Sequence, residues 1–291
     1  MSDKHYDRAA QDIGNIVGLG HVNVCITDQH VATRYYISGL GYTRDPFLNT
    51  SPDNMWVNVG MSQFHLPMGS PDVLRGVVGL VMPDRDALLD RLTQIRKYLE
   101  GTRFDFHETN DGVETVCPWG NRIHVHTPDE SRFGRVQLGM SYVRFDVRPG
   151  TAERIARFYR EVFRAPADVK ENGAGPEARV QVGEKTYFYF RETDAPEQPY
   201  DKHHVQIYIA DFSGPYRRLL DLGLITMETN DYEYRFKDIV DLDTREVLFT
   251  VEHETRSVTN PMYARPLINR NPAATNRDYK PGHDTLSWAL S

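Results

Sequence analysis

Residues 18–28 read GLGHVNVCITD, and this stretch decides the fold. His21, Asn23 and Cys25 alternate with Val22, Val24 and Ile26, the period-two pattern of a strand with one apolar face. Asp28 then opens a helical stretch, QHVATRYYISGLG (29–41), that closes on glycines. Strand-like segments follow at MWVNVGM (55–61) and QFHLP (63–67). The same order recurs three more times at a spacing of about 60 residues, which marks an internal repeat. The later copies begin at VVGLVMPD (77–84), YVRFDVRP (142–149) and HVQIYIAD (204–211). The second has the clearest helix, DRDALLDRLTQIRKYLE (84–100), with Leu88, Leu89, Leu92, Ile95 and Leu99 on one face. Each unit therefore reads strand, helix, then three strands.

A unit of this size cannot bury its sheet alone, so the units should combine in pairs. Pairing in chain order predicts an N-terminal arm over 1–17, one domain over 18–130 and a second over 136–254. The division falls in the polar segment TPDESRFGR (127–135). The remainder, 255–291, is rich in Pro, Asn and Arg without a period, which predicts an extended arm over the globular part or a partner subunit. A homodimer is the assembly such a clasp suggests.

The 291 residues carry 34 basic and 41 acidic side chains, a formal charge of -7, which offers nucleic acid no basic surface. The longest apolar stretch, Gly76 to Met82, is far short of the roughly 18 residues of a membrane span, so no membrane partner is expected. Two cysteines are too few for a disulfide framework, and the N-terminus has no apolar signal core, so a reducing cytoplasm is the expected location. GxSxG, GxGxxG, GxxxxGK[ST] and HExxH are all missing, which argues against hydrolase, nucleotide and protease chemistry. Eleven histidines remain, several of them inside alternating apolar segments where an unpaired imidazole is costly.

GLGHVNVCITD, the closing NRIHVHTPD (121–129) and the four units together resemble the vicinal oxygen chelate superfamily over roughly residues 18–253. That superfamily includes glyoxalase I, extradiol ring-cleaving dioxygenases, fosfomycin-resistance enzymes and bleomycin-binding proteins, and the tandem length looks most like the dioxygenases. The resemblance implies an α+β fold of four βαβββ units paired into two half-barrel domains. It also implies metal ligands at inward positions of the first and last strands of a unit. His21 takes the first-strand position, and laying QFHLP over RIHVH matches His65 with His124. The implied ligand set is His21, His65 and His124, with Val77 at the fourth position. Three imidazoles suit Fe(II), the leading expectation, or zinc or nickel, and leave open positions for substrate.

In the second domain the matching positions read Tyr142, Phe188, His204 and Leu248, so no metal is expected there; a register slip would turn Glu252 to the cleft. Asn23, Trp56 and His126 are the candidate substrate contacts, since Asn23 shares the face of His21 and His126 that of His124. The expected function is a metal-dependent enzyme acting on a small chelating substrate, with an extradiol-type iron dioxygenase leading. The alternatives are a zinc or nickel lyase or isomerase of glyoxalase type and a metal-free drug-binding protein. By the family pattern, extradiol enzymes use two histidines and a carboxylate, and glyoxalase I places glutamates beside histidine or glutamine.

Overall fold

The computed structural model describes residues 6–48, 51–173 and 175–269. The first unit comprises β1 (Ile16–Asn23), α1 (Gln29–Ala32, widening into π turns over Thr33–Gly39), β2 (Thr43–Arg44), β3 (Asn54–Val59) and β4 (Ser62–Pro67). The second comprises β5 (Gly76–Val81), α2 (Arg85–Ile95), β6 (Asp105–Thr109), β7 (Gly112–Val116) and β8 (Arg122–His126). A short α3 (Glu130–Phe133) leads to the third unit. That unit holds β9 (Gly139–Val147), α4 (Ala152–Phe158, widening into π turns over Tyr159–Phe163), β10 (Ala167–Asn172), β11 (Gly175–Gly183) and β12 (Thr186–Glu192). The fourth holds β13 (His204–Ile209), α5 (Ser213–Asp221), β14 (Ile225–Asn230), β15 (Glu233–Val240) and β16 (Val247–Ser257). The α+β fold of four βαβββ units is thus the one that forms.

Aspartate caps start the helices where the sequence places them. The Asp28 carboxylate accepts from the amides of His30 (2.6 Å) and Val31 (3.1 Å), and Asp84 accepts from Ala87 (2.9 Å). α2 then buries Leu88, Leu92 and Ile95 against the sheet, as its apolar stripe requires.

The strands form two eight-stranded sheets, ordered β14-β15-β16-β13-β1-β4-β3-β2 and β10-β11-β12-β9-β5-β8-β7-β6. The first unit therefore shares a sheet with the fourth, and the second with the third. Pairing does not follow chain order across 127–135. Each unit leaves the same free edge, that of its first strand, and the repeat spacing carries no information about which other unit fills it. Here the segment through α3 delivers β9 antiparallel to β5, with Val77 opposite Arg144 and Gly79 opposite Tyr142. β1 is left to β13, with His21 opposite Gln206 and Asn23 opposite His204.

The core beneath the sheets is strongly aromatic, with Tyr35, Tyr36, Phe145, Phe158, Phe188 and Phe236 all fully buried. His253 belongs to this core. Its ring stacks on Phe236 at 4.4 Å, its Nδ1 donates to the Val251 carbonyl (2.9 Å), and its Nε2 accepts from the Tyr159 hydroxyl (2.6 Å). Burial holds its pKa down to about 3, so the ring is neutral in the fold.

After β16 the chain crosses its own first sheet. The Asn58 side-chain amide donates to the Ile268 carbonyl (2.8 Å), Asn269 and Gly60 exchange two hydrogen bonds, and Arg265 pairs with buried Asp45 at 2.5 Å. The described part of the expected arm thus packs on its own subunit. The remainder, and residues 1–5, lie outside the described residues. No described helix is long and apolar enough to cross a membrane.

Candidate metal centre

Four adjacent strands of the first sheet, β16-β13-β1-β4, build the site. β4 runs parallel to β1 with His65 opposite Asn23, and β16 runs parallel to β13 with Glu254 opposite Gln206. This register makes His21 and His204 two-fold counterparts, and likewise His65 and Glu254, and Asn23 and Gln206. The result is three imidazoles and one carboxylate on one face. His21 Nε2 lies 3.4 Å from His204 Nε2, and Glu254 Oε2 lies 3.9 Å from His21 Nε2 and 3.6 Å from His204 Nε2. One nitrogen each of His21, His65 and His204 falls within 4.8 Å of the others.

Trp56 on β3 positions two of these rings. It stacks on His65 at 3.8 Å and meets His21 edge-on at 5.0 Å. Neither ring nitrogen of His65 has a hydrogen-bond partner, although both are buried. An unpartnered buried imidazole is costly unless it serves as a ligand. Burial pushes the pKa of His21 well below its ordinary value and that of His65 down to about 3, with neighbouring His204 adding to the effect on both, so these rings are unprotonated and free to ligate. For Glu254 burial works upward, but His21, His204, Arg256 and Arg235 outweigh it and hold the carboxyl well below the usual range. Arg235 reaches Glu254 at 2.5 Å and Glu252 at 2.8 Å, and Arg256 bonds both Glu254 and Glu233. The donor set of three imidazoles and one ionised carboxylate fits a divalent transition metal.

A cavity of about 600 Å³ opens beside His21. Gln63, Gln206, Tyr208 and Arg256 line it from the sheet, and the arm residues Tyr263 and Arg265 close one side. The Gln206 carboxamide has no partner at either atom, though it is buried. It lies across Gly20, where a β-carbon would come within 1.6 Å of its Oε1, so glycine in the GLG stretch is what lets Gln206 lie there.

No family model and no curated protein matches the chain. Among solved structures, a putative dioxygenase from Bacillus subtilis superposes with a TM-score of 0.55 at 15% identity, covering 84% of this chain and 86% of that one. Glyoxalase I from Zea mays superposes with a TM-score of 0.56 at 14% identity, covering 82% of this chain and 92% of that one. The chain has the vicinal oxygen chelate fold. At such identities the likeness concerns architecture, and the site has to be read from the residues themselves.

Within the vicinal oxygen chelate fold, the expected trio His21, His65 and His124 is not one cluster. His124 is on β8 in the second sheet, where it meets Asp111 and His126 instead. The closing-strand place assigned to His124 belongs to Glu254, and the first-strand place of Val77 belongs to His204, which the expected chain-order pairing had put in a metal-free domain. The counterpart of His65 on β16 is Glu254 and not Leu248, because β16 runs eleven residues and its site-facing position comes late in the strand. Glu252, the register-slip candidate, faces His204 Nδ1 at 3.7 Å and is held by Arg235. Phe188 is fully buried, and Tyr189 is the residue that lies opposite Arg144. Of the candidate substrate contacts, Asn23 lies opposite both His65 and His204, with its Oδ1 unpartnered, and Trp56 walls the cluster. His126 sits in the other sheet. Glu254 could have been found by extending the alternation Leu248, Thr250, Glu252 one step further along the strand.

Proposed function

We propose that the chain is a metal-dependent enzyme acting on a small substrate that chelates its metal through two oxygens. The observation that carries this reading is His65, whose two buried, unpartnered nitrogens lie in one cluster with His21 and His204, of which His21 lines the cavity. His21, His65, His204 and Glu254 would hold the ion. When bound, it would supply Lewis acidity toward the substrate oxygens. Arg235 and Arg256 fix the Glu254 carboxylate, Trp56 fixes the rings of His21 and His65, and Gln206 offers a donor and an acceptor to a polar edge of the substrate. The arm from Met262 to Leu267 shields the cavity from water on one side.

The reaction we favour is oxygen-dependent cleavage of an aromatic ring or a carbon-carbon bond, with Fe(II). His21, His204 and Glu254 make up the two-histidine, one-carboxylate set suited to that chemistry. The carboxylates around the site, Glu233, Glu252 and Glu254, are each held by arginine, which makes them poor bases for moving a substrate proton. A second reading, a zinc or nickel lyase or isomerase, draws on the donor count. Four protein donors leave a six-coordinate ion two positions, which a chelating substrate fills without room for O2. Oxygen uptake by the Fe(II)-loaded protein with catechols and β-diketones, beside solvent-proton exchange into α-hydroxyketones by the zinc- or nickel-loaded protein, separates the two. Uptake lost in His204→Ala supports the dioxygenase. Exchange without uptake replaces it with the isomerase. Tight ligand binding with neither activity overturns the enzyme reading.

A further inference from the structure

The second sheet carries its own convergence of donors. His124 and His126 are two residues apart on β8 and so share a face, with ring centroids 4.0 Å apart. The β6–β7 hairpin brings Asp111 over them, its Oδ1 3.2 Å from His124 Nε2 and its Oδ2 3.5 Å from His126 Nδ1. One donor atom from each of the three lies within 4.8 Å of the others. We propose that Asp111, His124 and His126 form a second divalent-metal site, separate from the one in the first sheet.

Three further features fit that role. Behind His126, the Tyr142 hydroxyl lies 3.0 Å from Nε2, and the Tyr142 ring lies over Gly79, where a β-carbon would come within 2.0 Å of it. A partner on the far nitrogen fixes ring orientation and leaves Nδ1 facing Asp111, 3.2 Å from its backbone carbonyl oxygen and 3.5 Å from Oδ2. Thr109 donates to Asp111 Oδ1 (3.2 Å) and lies 3.5 Å from His124 Nε2, steadying the carboxylate between the rings. Burial lowers the pKa of both histidines, that of His126 to about 4, the direction that favours ligation. Arg132, 3.3 Å from Asp111 Oδ2, is the cation that now shares this carboxylate. Asp111 is partly exposed, which gives an ion access from solvent. Two imidazoles and one carboxylate select zinc, iron(II), nickel or copper over magnesium or calcium. Such an ion would pin the β6–β7 hairpin to β8.

The test is a zinc titration of the metal-stripped full chain at micromolar concentration, read as bound equivalents. Wild type should bind two. Asp111→Asn, which suits a hairpin turn and should fold, and His124→Gln should each bind one, and His65→Ala should lose the other. Unchanged stoichiometry in Asp111→Asn and His124→Gln overturns the second site. A single wild-type equivalent lost only in His65→Ala overturns it and leaves the first centre standing. A single equivalent lost only in Asp111→Asn supports it and overturns the first centre. No bound zinc overturns both.

Discussion

The buried ring of His253 allows an effect on stability to be worked out in advance. In the fold its pKa is held down to about 3 by burial, whereas an unfolded histidine titrates near 6.5. The unfolded chain therefore takes up a proton between these values that the folded chain does not. The contribution of the neutral ring is fully present above about pH 6.5 and is lost progressively as pH falls toward 3. At about 1.4 kcal/mol per pH unit, moving from pH 7.5 to pH 5 costs about 2 kcal/mol from this group alone. His253→Phe keeps a ring against Phe236 but cannot protonate, and it leaves the buried Tyr159 hydroxyl without its acceptor, a loss of about 1–3 kcal/mol. Urea unfolding of both proteins, stripped of metal, at pH 7.5, 6 and 5 should show the variant less stable at pH 7.5 and the gap closing by about 2 kcal/mol at pH 5. Parallel curves would refute the assignment of a neutral core histidine. The comparison isolates His253 because His21 and His65, also depressed, are present in both proteins.

His65→Ala removes one of four donors; an equal share of a zinc binding energy of about 10 kcal/mol is about 2.5 kcal/mol. That carries a dissociation constant of roughly 0.05 μM past the micromolar protein concentration, so the first centre no longer fills, measurable by competition with a chromophoric chelator. Gln206→Leu should raise the unfolding midpoint, because it removes two unpartnered buried polar atoms, while raising KM about tenfold through the loss of one substrate hydrogen bond; a variant with unchanged KM would place Gln206 outside substrate recognition. Arg265→Met leaves buried Asp45 without its ion-pair partner, costing about 1–3 kcal/mol and speeding proteolysis of the arm. Burial works to raise the pKa of Asp45, but Arg265 and the amides of Phe47 and Leu48 outweigh it, so that contribution is full above about pH 4 and fades only as pH falls below it.

Much of this molecule is legible in its alternation of residues. The period of two in GLGHVNVCITD places His21 on the site face, and matching QFHLP with RIHVH identifies the closing-strand positions of His65 and His124. What alternation does not carry is the choice of neighbour. β1 could pair with the first strand of any unit, and the choice of β13 over β5 exchanges His204 for Val77 and moves His124 into another sheet. Glu254 escaped for a local reason. β16 is longer than the closing strands of the first two units, so counting from its start stops at Leu248, six residues early. Asp111 lies on a hairpin turn, where periodicity is silent and only the closed β6–β7 ladder shows what the turn overhangs. The arm was readable as extended from its Pro, Asn and Arg content, but its seat on Asn58, Gly60 and Asp45 depends on contacts more than 200 residues apart in the chain.

The proposed first centre has His21, His65, His204 and Glu254 holding one metal ion between two units far apart in sequence. Crystals of the iron- or zinc-loaded protein, measured above and below the metal's absorption edge, test it directly. The expected result is an anomalous peak about 2.0–2.2 Å from a nitrogen of each of the three histidines and from a Glu254 oxygen. A map with no peak there, with His21 and His204 still in mutual contact and metal bound elsewhere or not at all, would contradict it.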